Sequence, residues 1–201
     1  MLFKEAIMKT YIYFIRHSES SKLEGNERNR GLTDKGKLDS RGLTELLKNE
    51  GISTFISSPY RRAIMTIEEL AQQSGKEIIV FEDLKELVFS SEDFIIPDKE
   101  IYSLVGKMFK NPNVKEPFGE SINECQWRSV ARLKEIIKSY RGQKIAIGTH
   151  GLVMTLMMGY FDDQYGYEFL MKTSKPDIYR MEFNDEELLE TQRIYKEVNC
   201  R

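Results

Sequence analysis

The chain holds two histidines, and each follows an abrupt change from apolar to polar sequence. His17 comes with Arg16 directly after the run Thr10 to Ile15 (TYIYFI), and His150 comes with Thr149 after Lys144 to Gly148 (KIAIG). A third polar cluster, Ser58 to Arg62, follows Ile52 to Ser57 (ISTFIS). A lone histidine is ordinarily a surface or hydrogen-bonded structural residue. Two at matching positions, one beside an arginine, suggest chemistry on an anion. A phosphate monoester is a dianion, and arginine masks its charge because a planar fork binds two oxygens at once. A neutral imidazole can attack phosphorus and later be displaced by water, dividing one hard step into two. A second imidazole, protonated, can hold the equatorial oxygens, and a carboxylic acid can protonate the leaving alkoxide and then activate water.

Such groups converge only if the fold brings three chain-distant segments together. Thr10 to Ile15, Ile52 to Ser57, Ile78 to Val80 and Lys144 to Gly148 read as short strands, rich in β-branched and aromatic residues. Helices are predicted from Thr33, an N-cap, with Leu43, Leu46 and Leu47 on the apolar face; from Tyr60 to Gln73, ended by Gly75; from Ser121 to about Tyr140; and from Leu152 onward. A short helix is expected around Lys99 to Phe109, and Ile178 to Phe183 with Leu188 to Tyr195 reads as a hairpin about Asn184-Asp185. Strands alternating with helices predict an α/β fold, a three-layer α/β/α sandwich with a mostly parallel central sheet. Ligands of such sheets bind beyond the carboxyl ends of the strands, where Arg16-His17, Ser58 to Arg62 and Thr149-His150 fall.

Composition restricts the partners. Thirty basic residues against 32 acidic ones leave a formal charge of −2, which gives no basic field for nucleic acid and no polybasic membrane anchor. No apolar run is long enough to span a bilayer, and Met1 to Lys9 does not read as a signal peptide, so a cytoplasmic location is expected. Translation could begin at Met1 or Met8. Cys125 and Cys200 form no CxxC pair, so neither a disulfide framework nor a zinc knuckle is expected.

Phe14-Ile15-Arg16-His17-Ser18-Glu19 resembles the RHG motif of the histidine phosphatase (phosphoglycerate mutase-like) superfamily. Ser57 to Ala63 resembles its second-arginine motif, in which the arginine precedes alanine, favouring Arg62 over Arg61. Leu84-Lys85-Glu86 resembles the acid motif and Gly148-Thr149-His150-Gly151 the second-histidine motif. Leu32 to Gly36 and Gly119-Glu120-Ser121 also resemble family features, and the matches run in family order from Tyr11 to about Leu156. The resemblance implies one domain over 1–201, with 88–118 as a lid over the site. It implies His17 as nucleophile, Arg16, Arg62 and His150 as the phosphate pocket with Thr149 and Gly151 beside them, and Glu86 as proton donor. No metal and no cofactor are implied.

Departures from the pattern are informative. The glycine of the RHG motif is Ser18 here, and the asparagine usual a few residues later falls at Leu23, so Ser20 or Asn26 is expected to supply that phosphate contact. Gly31 to Lys37 fits the start of a P-loop, but Leu38 replaces its Ser or Thr and no strand precedes it. His17-Ser18-Glu19 has the H-x-E of zinc deaminases without their P-C-x-x-C. Val88 to Glu100 contains no arginine, unlike the arginine-rich segment of phosphoglycerate mutases. The expected activity is therefore hydrolysis of a small phosphorylated metabolite. A mutase-type phosphotransferase and a non-catalytic phospho-ligand-binding module are the alternatives.

Overall fold

The computed structural model describes residues 8–22, 25–90 and 98–196. Its centre is a six-stranded sheet in the order β3-β2-β4-β1-β5-β6. Strands β1 (Lys9–Arg16), β2 (Thr54–Ser57), β3 (Ile78–Val80) and β4 (Lys144–Thr149) pair in parallel, whereas β5 (Asp177–Asn184) and β6 (Glu187–Lys196) form an antiparallel hairpin against β1. The sheet is mixed but mostly parallel, and the hairpin turns at Asp185-Glu186, one residue beyond the expected Asn184-Asp185, with Asp185 at a φ of 51°.

Alternation along β1 sorts the two layers. Ile12 and Phe14 point into a core shared with Ile145, Ile147, Leu133, Ile137 and the apolar side chains of α5 (Gly151–Phe161). Tyr13 and Ile15 point the other way, onto Leu43 and Leu47 of α1 (Asp34–Leu47) and Ile67 and Leu70 of α2 (Arg61–Gln73). A strand with both faces covered by helices must be apolar on both, which explains the unbroken run that follows Thr10. Helix α5 is buried all along Gly151 to Met158, as expected of a helix that is apolar on every face.

Helix starts follow the sequence closely. Thr33 caps α1 by accepting from Gly36 N at 3.0 Å, and Ser121 with Glu124 forms a capping box at the start of α4 (Ile122–Ser139). Gly36 is required by close approach, since a Cβ there would lie 2.0 Å from the Glu19 carbonyl oxygen. The expected helix near Lys99 is α3 (Asp98–Lys110). Two short elements were not expected: a one-turn 3-10 helix over Glu82–Leu84 and α6 (Tyr167–Leu170). Among the described residues, no helix is long and apolar enough to cross a membrane.

Candidate active site

Registry places the site. Arg16 pairs with Thr149 and Ser57 with Gly148, so β1, β2 and β4 end together at one rim. His17 N donates to the Thr149 carbonyl and Ser58 N to the Gly148 carbonyl, both at 2.9 Å, carrying the alignment one residue past the strands. The His17 and His150 rings consequently lie with centroids 5.3 Å apart at 61°.

Hydrogen bonds seat the two rings differently. His17 Nδ1 lies 2.7 Å from the Ser18 carbonyl oxygen, which can only accept, so the proton sits on Nδ1 and Nε2 keeps its lone pair. Ser58 Oγ accepts from Tyr60 N at 3.2 Å and lies 2.7 Å from His150 Nε2, a contact in which either the hydroxyl or the ring can donate. His150 Nδ1 is a buried atom with no hydrogen-bond partner. Burial first, then Arg62, pushes the pKa of both histidines well below the ordinary 6.5. That depression favours the neutral form of both rings in the free site.

Around them is a cleft of about 310 Å³ whose lining includes Arg16, Arg30, Arg62, Glu27 and Glu86. Arg62 is 1% exposed, lies 4.8 Å over the Tyr60 ring and donates to the Glu27 carbonyl; desolvation, then Arg30, lowers its pKa to about 10. Arg16 donates to Thr173 Oγ1 and crosses the start of α5. Gly151 makes room for it, because a Cβ there would lie 2.9 Å from the guanidinium carbon. Opposite the guanidinium groups the wall is apolar, with Leu87, Val88, Phe89, Ile101, Tyr102 and Val105.

Glu86 reaches the same cleft from the segment after the 3-10 helix. Its carboxylate accepts from Leu87 N, Val153 N and Leu152 N at 2.9, 3.0 and 3.2 Å, which seats it on the open amino end of α5. Arg128 holds that segment from behind, donating to the carbonyls of Asp83 and Lys85 at 2.7 and 3.0 Å and to both oxygens of Glu120 at 2.5 and 2.6 Å. Among the described residues no three His, Cys, Asp or Glu side chains are grouped to hold a metal ion.

A family model described as histidine phosphatase superfamily (branch 1) matches residues 12–191. The chain belongs to that superfamily. Relatives of this histidine phosphatase-superfamily chain include the probable phosphoglycerate mutase GpmB of Photorhabdus laumondii, 27% identical over 161 residues, 74% of this chain and 73% of that protein. The phosphoglycerate mutase-like protein 4 of Arabidopsis thaliana is 28% identical over 71% of this chain and 67% of its own length. Among solved structures, the mycobacterial glucosyl-3-phosphoglycerate phosphatase superposes with a TM-score of 0.75 at 15% identity, covering 92% of this chain and 97% of that one. YhfR of Bacillus stearothermophilus gives 0.74 at 22%, covering 90% and 94%. At such identities the structures establish the fold alone.

Within this superfamily member, Arg16, His17, Arg62, Glu86 and Gly151 line the cleft, and His150 packs against His17. Three other expected substrate contacts are placed elsewhere. Asn26 Oδ1 closes a turn by accepting from Asn29 N at 2.9 Å, Ser20 Oγ accepts from Arg30, and Thr149 is fully buried in β4. None of the three lines the cleft, and Leu23 lies outside the described residues. Sequence reading missed Arg30, Glu27 and Arg128, and saw Ser58 only as part of a polar cluster. The signal for Arg30 is its place just before the Gly31-Leu32-Thr33 segment that packs on the loop after His17.

Proposed function

We propose that the protein is a phosphomonoester hydrolase that carries the phosphoryl group transiently on His17. The observation that carries this reading is the packing of His150, whose Nδ1 is buried without a partner, against His17, whose Nδ1 faces the Ser18 carbonyl and which lines a cleft with three guanidinium groups. His17 Nε2 attacks phosphorus, the bond from phosphorus to the ester oxygen breaks, and Glu86 delivers a proton to that oxygen. Water then attacks the phosphohistidine and gives its proton to Glu86. Inorganic phosphate leaves, and both side chains return to their first state. Arg16 and Arg62, with His150, take up the charge on the equatorial oxygens.

The cleft suits a small phosphorylated metabolite, and segment 88–118, of which 91–97 lie outside the described residues, serves as its lid through Phe89 and the α3 side chains Ile101, Tyr102 and Val105. Relatives named as phosphatases of glucosyl-3-phosphoglycerate and of phosphoserine support hydrolysis. The relatives named as phosphoglycerate mutases support the second reading, in which the phosphoryl group returns to substrate. Hydrolysis is favoured because the described lid residues bring apolar side chains to the cleft and no arginine for a second phosphate. Acid-quench trapping with labelled aryl phosphate should capture a phosphoenzyme in the wild type and none in His17→Ala, whose turnover should vanish. Adduct formation or undiminished turnover in that variant overturns the assignment, and, with 3-phosphoglycerate added as acceptor, label recovered in bisphosphoglycerate instead of inorganic phosphate favours the mutase.

A further inference from the structure

We infer that Arg30 is a third phosphate-binding guanidinium of this site, bracketed by Glu27 and Ser20, and that it stands in for the asparagine absent from the first motif. The inference takes its ligand, a phosphoryl group, from the hydrolase reading above.

Arg30 is only 7% exposed, yet it lines the cleft. Its Nη1 donates to Ser20 Oγ, and its Nη2 lies 3.0 Å from Glu27 Oε2. The same Glu27 oxygen lies 3.1 Å from Arg62 Nη2, so one carboxylate joins the two guanidinium groups. Ser20 is itself fixed by a bridge to Leu32. The bracket therefore determines where both forks sit before any ligand arrives.

Two features make a purely structural role insufficient. First, the Nε atoms of Arg30 and Arg62 are both buried without a hydrogen-bond partner, as is His150 Nδ1. Buried donors are nearly always satisfied, so the two guanidinium groups that line the cleft keep donor capacity that phosphoryl oxygens would take up. Second, Arg30 is the leading charge that depresses Arg62 and acts on His150 after Arg62, which places it among the groups of the pocket. With Arg16 the pocket holds three guanidinium groups and one bridging carboxylate. Together with Lys22 and Lys175 these cations outnumber the lining carboxylates Glu27 and Glu86, an excess that an anion would offset. A dianionic phosphoryl group supplies both the charge and the acceptor oxygens.

The rival role is indirect: Arg30 would only fix Glu27, which fixes Arg62. Arg30→Gln, Arg30→Lys, Glu27→Gln and the double variant Arg30→Gln/Glu27→Gln separate the two. Calorimetric titration with inorganic phosphate and inhibition by orthovanadate are read beside aryl phosphate kinetics, with circular dichroism as the folding control. Arg30→Gln should weaken phosphate and vanadate binding about tenfold or more, Arg30→Lys less, and the loss should persist when Arg30 is removed from Glu27→Gln. A change under about twofold in folded Arg30→Gln overturns the inference, as does a loss that disappears in the Glu27→Gln background. Phosphate binding that depends on Arg30 in a protein forming no phosphohistidine would sink the hydrolase reading and leave the third guanidinium standing. A phosphohistidine enzyme indifferent to Arg30 would do the reverse.

Discussion

A histidine kept neutral by burial imposes a cost that shows up in stability before it shows up in catalysis. His17 and His150 are both displaced well below 6.5, by burial first and by the neighbouring arginines next. Below pH 6.5 the unfolded chain takes up two protons that the folded chain refuses, so unfolding gains ground as pH falls. The loss begins near 6.5 and continues down to the folded values, at roughly 1 kcal/mol per pH unit for each histidine. Urea melts at pH 7.5 and 5.5 should show this slope, reduced by about half in His150→Asn. An unchanged slope in that variant would mean the ring is not held neutral. The physical origin of both residues was legible in sequence, because each directly follows an apolar strand. The resemblance also distinguishes their roles, whereas the contacts that orient the rings, the Ser18 carbonyl beside one and the Ser58 hydroxyl beside the other, are set by the fold and were not legible.

At the scale of elements, the sequence specified starts better than braces. Thr33 and Ser121 cap their helices as expected, since capping uses groups three residues apart. The segment carrying Glu86 has no strand or long helix of its own. It is held by Arg128, which sits in the middle of α4 and is 42 residues away from Glu86, whose carbonyl accepts from Nη2 at 3.3 Å. No local pattern announces such a brace. Asn26 and Ser20 differ from expectation for the same reason: proximity to His17 in the chain suggests phosphate, whereas the loop uses them to hold its own turn and Arg30. Arg128→Met should therefore cost about 3 kcal/mol, because the Glu120 carboxylate and several carbonyls are deprived of their donor together. For a chain of this size that is a fall in Tm on the order of 10 °C. If Glu86 acts as the proton donor, kcat should fall further than KM rises in this variant, with poor leaving groups affected most. Loss of stability with an unaltered kcat would show that Glu86 is positioned by α5 alone.

Taken as a whole, the molecule is nearly charge-balanced, at −2, yet one cleft gathers Arg16, Arg30, Arg62, Lys22 and Lys175. Attraction of an anion is thus a local property, set by a rim where parallel strands end and not by net charge. The same cleft continues into an apolar wall to which α3 gives Ile101 and Val105, and at its edge Tyr102 and Met171 are each 42% exposed. If the proposed hydrolase reading holds, exposed apolar groups beside the guanidinium cluster favour a substrate whose alcohol portion is itself apolar, since burying it there removes surface from water on both sides. Hexyl phosphate, whose leaving group is an alkoxide like that of glycerol phosphate, should accordingly be turned over with a higher kcat/KM than glycerol phosphate by about tenfold or more, an advantage of ~1.4 kcal/mol. Because Tyr102 and Met171 are largely solvated, Tyr102→Glu/Met171→Glu should fold normally while that ratio collapses toward unity. The measurement is a pair of kcat/KM values for each protein under matched ionic strength. A wild type that prefers the glycerol ester, or a ratio untouched by the two carboxylates, would show that the apolar wall does not meet the substrate.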